Sequence, residues 1–261
     1  MTLEIISQRP SERRFPHPLL FVHGAWHGAW CWDEHFLPWF AARGFEAHAV
    51  SLRGHGDSPG REGIRWHRIA DYVDDVAEAA ATLDRPPVVI GHSMGGLITQ
   101  KYLERHPAPA AVLLATIPTR GVLPFVTRLG LHRPLTLASS LLHLSPYRLV
   151  ATPELSTAAF FSESLPETTR RAYHDRLVEE SFRMILDAGV LDLPRPKRIS
   201  TPILVLGADN DAIFPPHEMR ATARAYGAEC EILADTAHDV MLEPRWEAGA
   251  ERIATWLQGY R

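Results

Sequence analysis

Cysteine is scarce in this chain and long apolar runs are missing, and each shortage removes a class of protein. Cys31 and Cys230 are the two cysteines in 261 residues and stand far apart. That fits neither a disulfide framework nor a metal-binding spacing, so reduced, buried thiols and a cytoplasmic setting are expected. No run reaches the roughly 18 apolar residues that span a bilayer, and the opening "MTLEIISQRPSERRFP" has no apolar stretch of signal-peptide length. Stable membrane insertion is therefore not expected. Basic residues are not in excess either. The formal charge is −4, and the pairs Arg13-Arg14 and Arg170-Arg171 are too short to form a stripe, which leaves no electrostatic case for nucleic acid. No H-E-x-x-H or comparable ligand spacing occurs, so no metal is expected, and there is no internal repeat or low-complexity segment.

What is present is a globular composition, 46% hydrophobic and 22% charged, long enough for a large core. Short apolar runs alternate with longer amphipathic ones, the rhythm of strands and helices in a mostly parallel sheet. The strand candidates are residues 3–7, 18–24, 45–52, 86–93, 110–118, 202–208 and 230–235. The helical stretches are Trp32 to Arg43, Trp66 to Leu83, Gly95 to Arg105, Pro216 to Tyr226 and Pro244 to Leu257. From Thr119 to Ser200 the rhythm breaks: Pro-bounded segments such as "PLTLASSLLHL" and "ETTRRAYHDRLVEESFRMILDAG" read as helices. The expected organisation is a core of residues 1–118 and 201–261 with a helical cap, or lid, at 119–200.

Ligands of open parallel sheets sit at the carboxyl ends of the strands, so reactive residues should follow strands. "VVIGHSMGGLI" places Ser93 there, between a strand and a helix and inside G-x-S-x-G. Glycine and serine also suit an ordinary capped turn. The strand, turn and helix context instead favours an exposed nucleophile, with side chains at positions 91 and 95 excluded by the tightness of the turn.

A serine hydroxyl needs a base, and the base an orienting acid, in the chain order serine, acid, histidine. Of the later histidines, His132, His143 and His174 fall in the helical insertion and His217 at a helix start. His238, in the loop of "CEILADTAHDVMLEP", is the candidate base. The loop "GADNDAIFPP" offers two acids. Asp211 is the candidate because the apolar "AIF" beside it would seat the turn, while Asp209 reads as a loop cap; Asp235 and Asp239 are rivals by proximity to His238. The oxyanion of acyl transfer needs backbone donors. Met94 N–H, directly after the nucleophile, and Ala25 N–H, in "FVHGAWHGAW", are the candidates, with Trp26 beside them as a substrate-binding residue and His23 bonding the loop.

With "HGAWHG", "LRGHGDSPG", "GHSMGG", "GADNDAIFP" and "AHDVMLEP" in this order, the chain resembles the α/β-hydrolase superfamily over nearly its whole length. The resemblance implies an eight-strand-type sheet flanked by helices, a helical cap, no cofactor, a small aromatic-lined pocket, and Ser93, Asp211 and His238 as catalytic triad. "HGAWHGAWCW" looks like the oxyanion loop of the methylesterase and hydroxynitrile lyase branch. The lyases' lysine after the base is here Asp239, which speaks against a cyanohydrin lyase. Ser93 at the elbow speaks against dehalogenases and epoxide hydrolases, which carry aspartate there. The expectation is a serine hydrolase that cleaves small to medium apolar carboxylic esters through an acyl-enzyme. C-C bond hydrolase, thioesterase and cofactor-free haloperoxidase are alternatives on the same fold, and a non-catalytic ligand-binding receptor is the alternative from another class. The insertion's Phe125, Leu129, Leu131, Leu135, Leu137, Leu141, Leu142, Leu144, Phe160 and Phe161 exceed what a short connection needs, so some are expected over the cleft.

Overall fold

Parallel strands covered on both faces read as continuous apolar runs rather than alternating ones, and the middle of the sheet is built of such covered strands. β2 (Leu19–Val22), β4 (Val88–His92) and β5 (Ala111–Leu114) are buried at every position. They form the centre of a seven-stranded sheet completed by β1 (Ile5–Gln8), β3 (Ala47–Val50), β6 (Ile203–Ala208) and β7 (Glu229–Leu233). The order is β1-β3-β2-β4-β5-β6-β7, with β1 antiparallel to β3 and every other pair parallel. The computed structural model describes residues 2–260; the outermost residues of the core division made above, Met1 and Arg261, lie outside that range.

The helices are α1 (Trp30–Asp33), α2 (Phe36–Ala42), α3 (Ile69–Ala81), α4 (Met94–Leu103), α5 (Leu123–His132), α6 (Pro134–His143), α7 (Pro153–Phe160), α8 (Glu167–His174), α9 (Phe182–Leu186), α10 (Pro216–Tyr226) and α11 (Trp246–Leu257). α5 to α9 all lie between β5 and β6 in the chain. No helix among the described residues is long and apolar enough to cross a membrane. Val22 pairs with Gly91, His92 with Leu114 and Leu114 with Leu206. The central strands therefore end level, and the loops after β2, β4 and β6 open on the same edge of the sheet.

Five expectations are corrected. The sheet has seven strands among the described residues, one at each of the seven strand candidates, not the eight-strand type that the resemblance implies. The strand expected over 110–118 ends at Leu114, because Ala115 turns out of it with φ 42°. The helix expected from Trp32 to Arg43 is two helices. Pro38 has no N–H to give to a preceding turn, and restarting the helix at Phe36 leaves Pro38 in a first turn where none is needed. "ETTRRAYHDRLVEESFRMILDAG" breaks after His174 and resumes at Phe182, for a reason that emerges at the site. Cys31 is buried but Cys230 is exposed, since it stands on the edge strand β7.

Candidate active site

Ser93 joins β4 to α4 with φ 50° and ψ −114°, a strained left-handed conformation for a residue with a side chain. The crowding that forces it is backbone against backbone. A Cβ on Gly91 would lie 2.3 Å from the Gly95 carbonyl oxygen, and one on Gly95 would lie 2.3 Å from the Val22 carbonyl oxygen. Only glycine on both sides lets the turn close. Ser93 N–H donates to the Leu114 carbonyl at 3.0 Å, and the Ser93 carbonyl accepts from Gly96, Leu97 and Ile117. The peptide is locked while the hydroxyl is left for another partner.

That partner is His238. Its Nε2 lies 3.0 Å from Ser93 Oγ, and its Nδ1 lies 2.8 Å from Asp211 Oδ2. Asp211 Oδ1 accepts the N–H groups of Ile213 and Phe214 at 2.8 and 2.9 Å, so the carboxylate's two oxygens are divided between the loop and the imidazole. The ring of His238 packs against Phe160 and Phe214, and all three polar side chains are buried. Burial alone would depress the basicity of His238; the Asp211 charge and hydrogen bond, with the Asp239 charge behind them, outweigh it and raise the imidazole above its ordinary value.

The other acids and histidines take different positions. Asp209 accepts the N–H groups of Asp235 and Thr236 at 3.1 Å each, fastening the β6 loop to the β7 loop. Asp235 is exposed and pairs with Arg245. Asp239 is fully buried on the far side of His238, 3.0 Å from His27 Nε2 and 3.7 Å from His92 Nε2. Burial pushes its carboxyl up, but the neighbouring histidines, His27 foremost with His92 and His238, together outweigh it and hold the carboxyl below the usual value. His217 is exposed, His132 and His143 are exposed on the α5–α6 pair, and His174 bonds Ser156 at 3.0 Å. His23 Nε2 accepts Leu52 N–H, and its Nδ1 donates to the Gly24 carbonyl.

His92, His238 and Asp239 bring three possible metal-ligand atoms within 4.8 Å of one another. Both nitrogens of His238 are already engaged by Asp211 and Ser93, and His92 Nε2 donates to the His238 carbonyl. Burial and the neighbouring His238 push His92 down to about 3, which keeps it neutral. His238, the central member of this trio, is thus committed to Asp211 and Ser93.

Ala25, Trp26, Met94 and Ser93 line one apolar cavity of about 90 Å³, together with Phe125, Leu129, Leu137 and Leu141 of α5 and α6. A wider opening of about 360 Å³ shares the walls Trp26, Phe125, Leu129, Leu149 and Ile213 and adds Phe160. Leu131, Leu135 and Leu142 instead face solvent. Among the described residues, neither Ala25 N–H nor Met94 N–H donates to a protein acceptor. Trp32 belongs to the core against Phe21 and Phe36, and Trp30 packs on Tyr173 under Arg176. Sequence reading gave no role to His27, His55 or Glu180. The signals available were the second histidine of "HGAWHG", the histidine of "LRGHGDSPG" and the Glu179-Glu180 pair in a segment read as continuous helix.

A parallel sheet with a strained serine between its central strand and the next helix, and a histidine and carboxylate delivered by later strand loops, defines an α/β-hydrolase fold. The chain belongs to the alpha/beta hydrolase family, whose model matches residues 19–251. It is similar to a monoacylglycerol lipase of Mycolicibacterium smegmatis, 23% identical over 237 residues, 86% of this chain and 82% of the relative. It is 36% identical to esterase PIR7B of Oryza sativa subsp. japonica over 108 residues, 39% of this chain and 40% of the relative. Among solved structures, the monoacylglycerol lipase of Paleococcus ferrophilus superposes with a TM-score of 0.74 at 22% identity, covering 100% of both chains.

Proposed function

We propose that this protein hydrolyses carboxylic esters of small to medium apolar acyl groups through an acyl-enzyme on Ser93. The observation that carries the reading is the hydrogen-bonded chain from Asp211 through His238 to Ser93, ending in an apolar cavity. In this reading Ser93 Oγ attacks the ester carbonyl carbon as His238 Nε2 takes its proton, and Asp211 holds the imidazole and stabilises its charge. The oxyanion receives the N–H groups of Ala25 and Met94. Collapse breaks the bond to the alcohol oxygen, which takes the proton from His238. Water, deprotonated by the same nitrogen, then cleaves the acyl-serine and releases the carboxylic acid. The esterase and lipase names of the relatives support the reaction class. Trp26 is assigned to substrate binding because it lines both the inner cavity and the opening, and its buried Nε1 has no protein acceptor among the described residues. Residues 119–200 are assigned as the cap over a core of 1–118 and 201–261, because Phe125, Leu129, Leu137 and Leu141 roof Ser93.

The walls of that cavity set the acyl preference. Each methylene moved from water to an apolar wall contributes about 0.8 kcal/mol, nearly fourfold in kcat/KM when the contact is made in the transition state. A panel of p-nitrophenyl esters is expected to rise in kcat/KM from acetate through butyrate toward octanoate, and dicarboxylic half-esters are expected to be poor. Preference for acetate would show that the cap's apolar residues do not meet the acyl chain.

The imidazole sets the pH dependence. The base acts in its neutral form, so kcat/KM increases with pH along one limb, and because Asp211 raises His238, the midpoint is expected above the ordinary histidine value of about 6.5. A profile measured from pH 5 to 9 checks this; a flat one would remove His238 from the limiting proton transfer.

A further inference from the structure

The break between α8 and α9 delivers one side chain deep into the molecule. Glu180 is fully buried and collects donors from three separate elements of the core. Its Oε2 accepts Trp26 N–H at 3.2 Å and faces His55 Nε2 at 3.1 Å, while its Oε1 accepts the Tyr72 hydroxyl at 3.1 Å and the N–H of Ser181. Two residues earlier, Val178 N–H donates to the Trp26 carbonyl at 3.0 Å. In a continuous helix Val178 N–H would be spent on the carbonyl four residues before it, so the break is what frees it for Trp26.

Trp26 needs holding. Its φ of 67° is left-handed, a conformation that is strained for a residue with a side chain and persists only where the surroundings impose it. The Ala25–Trp26 peptide is gripped at both ends: Glu180 takes its N–H, and its carbonyl accepts His27 Nδ1–H at 2.8 Å. Directly before that peptide stands Ala25 N–H, which lines the Ser93 cavity without a protein acceptor among the described residues.

We propose that Glu180, a cap residue, is a positioning residue for the oxyanion hole: by holding the strained Ala25–Trp26 peptide it keeps Ala25 N–H aimed at the carbonyl oxygen attacked by Ser93. This rests on the ester-hydrolase reading and on Ala25 as a donor. It makes the cap part of the site's machinery, since displacing residues 178–180 would release the oxyanion loop.

The test uses the full-length Glu180→Gln and Tyr72→Phe proteins. In the first, the amide nitrogen would meet donors where the carboxylate now accepts; the second removes one hydroxyl donor to Oε1 with almost no change in volume. A donor of this kind contributes about 10²- to 10³-fold to the rate, and misaiming it is expected to lower kcat by about 10- to 100-fold in Glu180→Gln and several-fold in Tyr72→Phe. KM and the midpoint of the pH limb should stay near wild type, because Asp211 and His238 are untouched. Affinity for phenylboronic acid, whose tetrahedral serine adduct places an oxygen in the hole, should fall in parallel with kcat. A folded Glu180→Gln protein with wild-type kcat and boronate affinity, or a loss confined to KM, overturns the proposal. If Glu180→Gln does not fold, Tyr72→Phe decides by the same two readouts. Failure of the ester-hydrolase reading itself looks different, because Ser93→Ala would then retain activity.

Discussion

Replacing Ser93 by alanine is expected to lower kcat for ester hydrolysis by about 10⁴- to 10⁶-fold while leaving thermal unfolding nearly unchanged. The size follows from the loss of the only atom that can form the acyl-enzyme, with the oxyanion donors and the pocket left to give a small residual rate. The unchanged stability follows from the geometry: Ser93 Oγ is held by His238 and supports no backbone group, and the turn is fixed by the residue's own N–H and carbonyl. Alanine inherits the strained φ but adds no bulk. Steady-state kinetics and a melting curve on one preparation check both halves. Turnover above a hundredth of wild type in pure protein would remove Ser93 from the chemistry.

The second large effect separates two aspartates on one loop. Asp211→Asn is expected to cost about 10⁴-fold in kcat, and Asp209→Asn only a few-fold. In Asp211→Asn the amide oxygen remains with the Ile213 and Phe214 N–H groups, which need an acceptor. Its NH₂ then faces His238 Nδ1, forcing that nitrogen to accept and placing the imidazole proton on Nε2, toward Ser93, where a base cannot carry it. Asp209 touches only backbone N–H groups of the β7 loop, and an asparagine oxygen still serves one of them. The opposite ranking of the two variants would move the acid to Asp209.

The parts of this molecule legible from the chain were those fixed by local pattern. Continuous apolar runs marked the buried strands, because parallel strands covered on both faces leave no polar alternation. "GHSMGG" marked the elbow by the glycines spaced two residues either side of the serine, although the crowding that demands Gly95 comes from the Val22 carbonyl of β2. Asp211 could be preferred over Asp209 from the apolar residues beside it, and Phe214 does pack on His238. What stayed hidden depended on long-range partners. Glu180 and Val178 sit in a segment whose local pattern is helical, and the bonds to Trp26 that break it cross more than 150 residues of chain. Asp239 was weighed as a partner for His238 because they are neighbours in sequence. Its carboxylate instead turns to His27, which only the packing of the β2 loop against the β7 loop could bring there. The exposed Leu131, Leu135 and Leu142 could not be told from Leu129 and Leu137, since all are leucines on the same two helices.

The central claim is that Ser93 is a nucleophile activated by His238, and covalent labelling reads it most directly. The folded protein is treated with a fluorophosphonate, and the modified residue is located by peptide mass spectrometry. The expected result is stoichiometric phosphonylation of Ser93 that slows as pH falls through the His238 limb and disappears in His238→Ala. Folded protein left unlabelled, or labelled at another residue with Ser93 untouched, would contradict it.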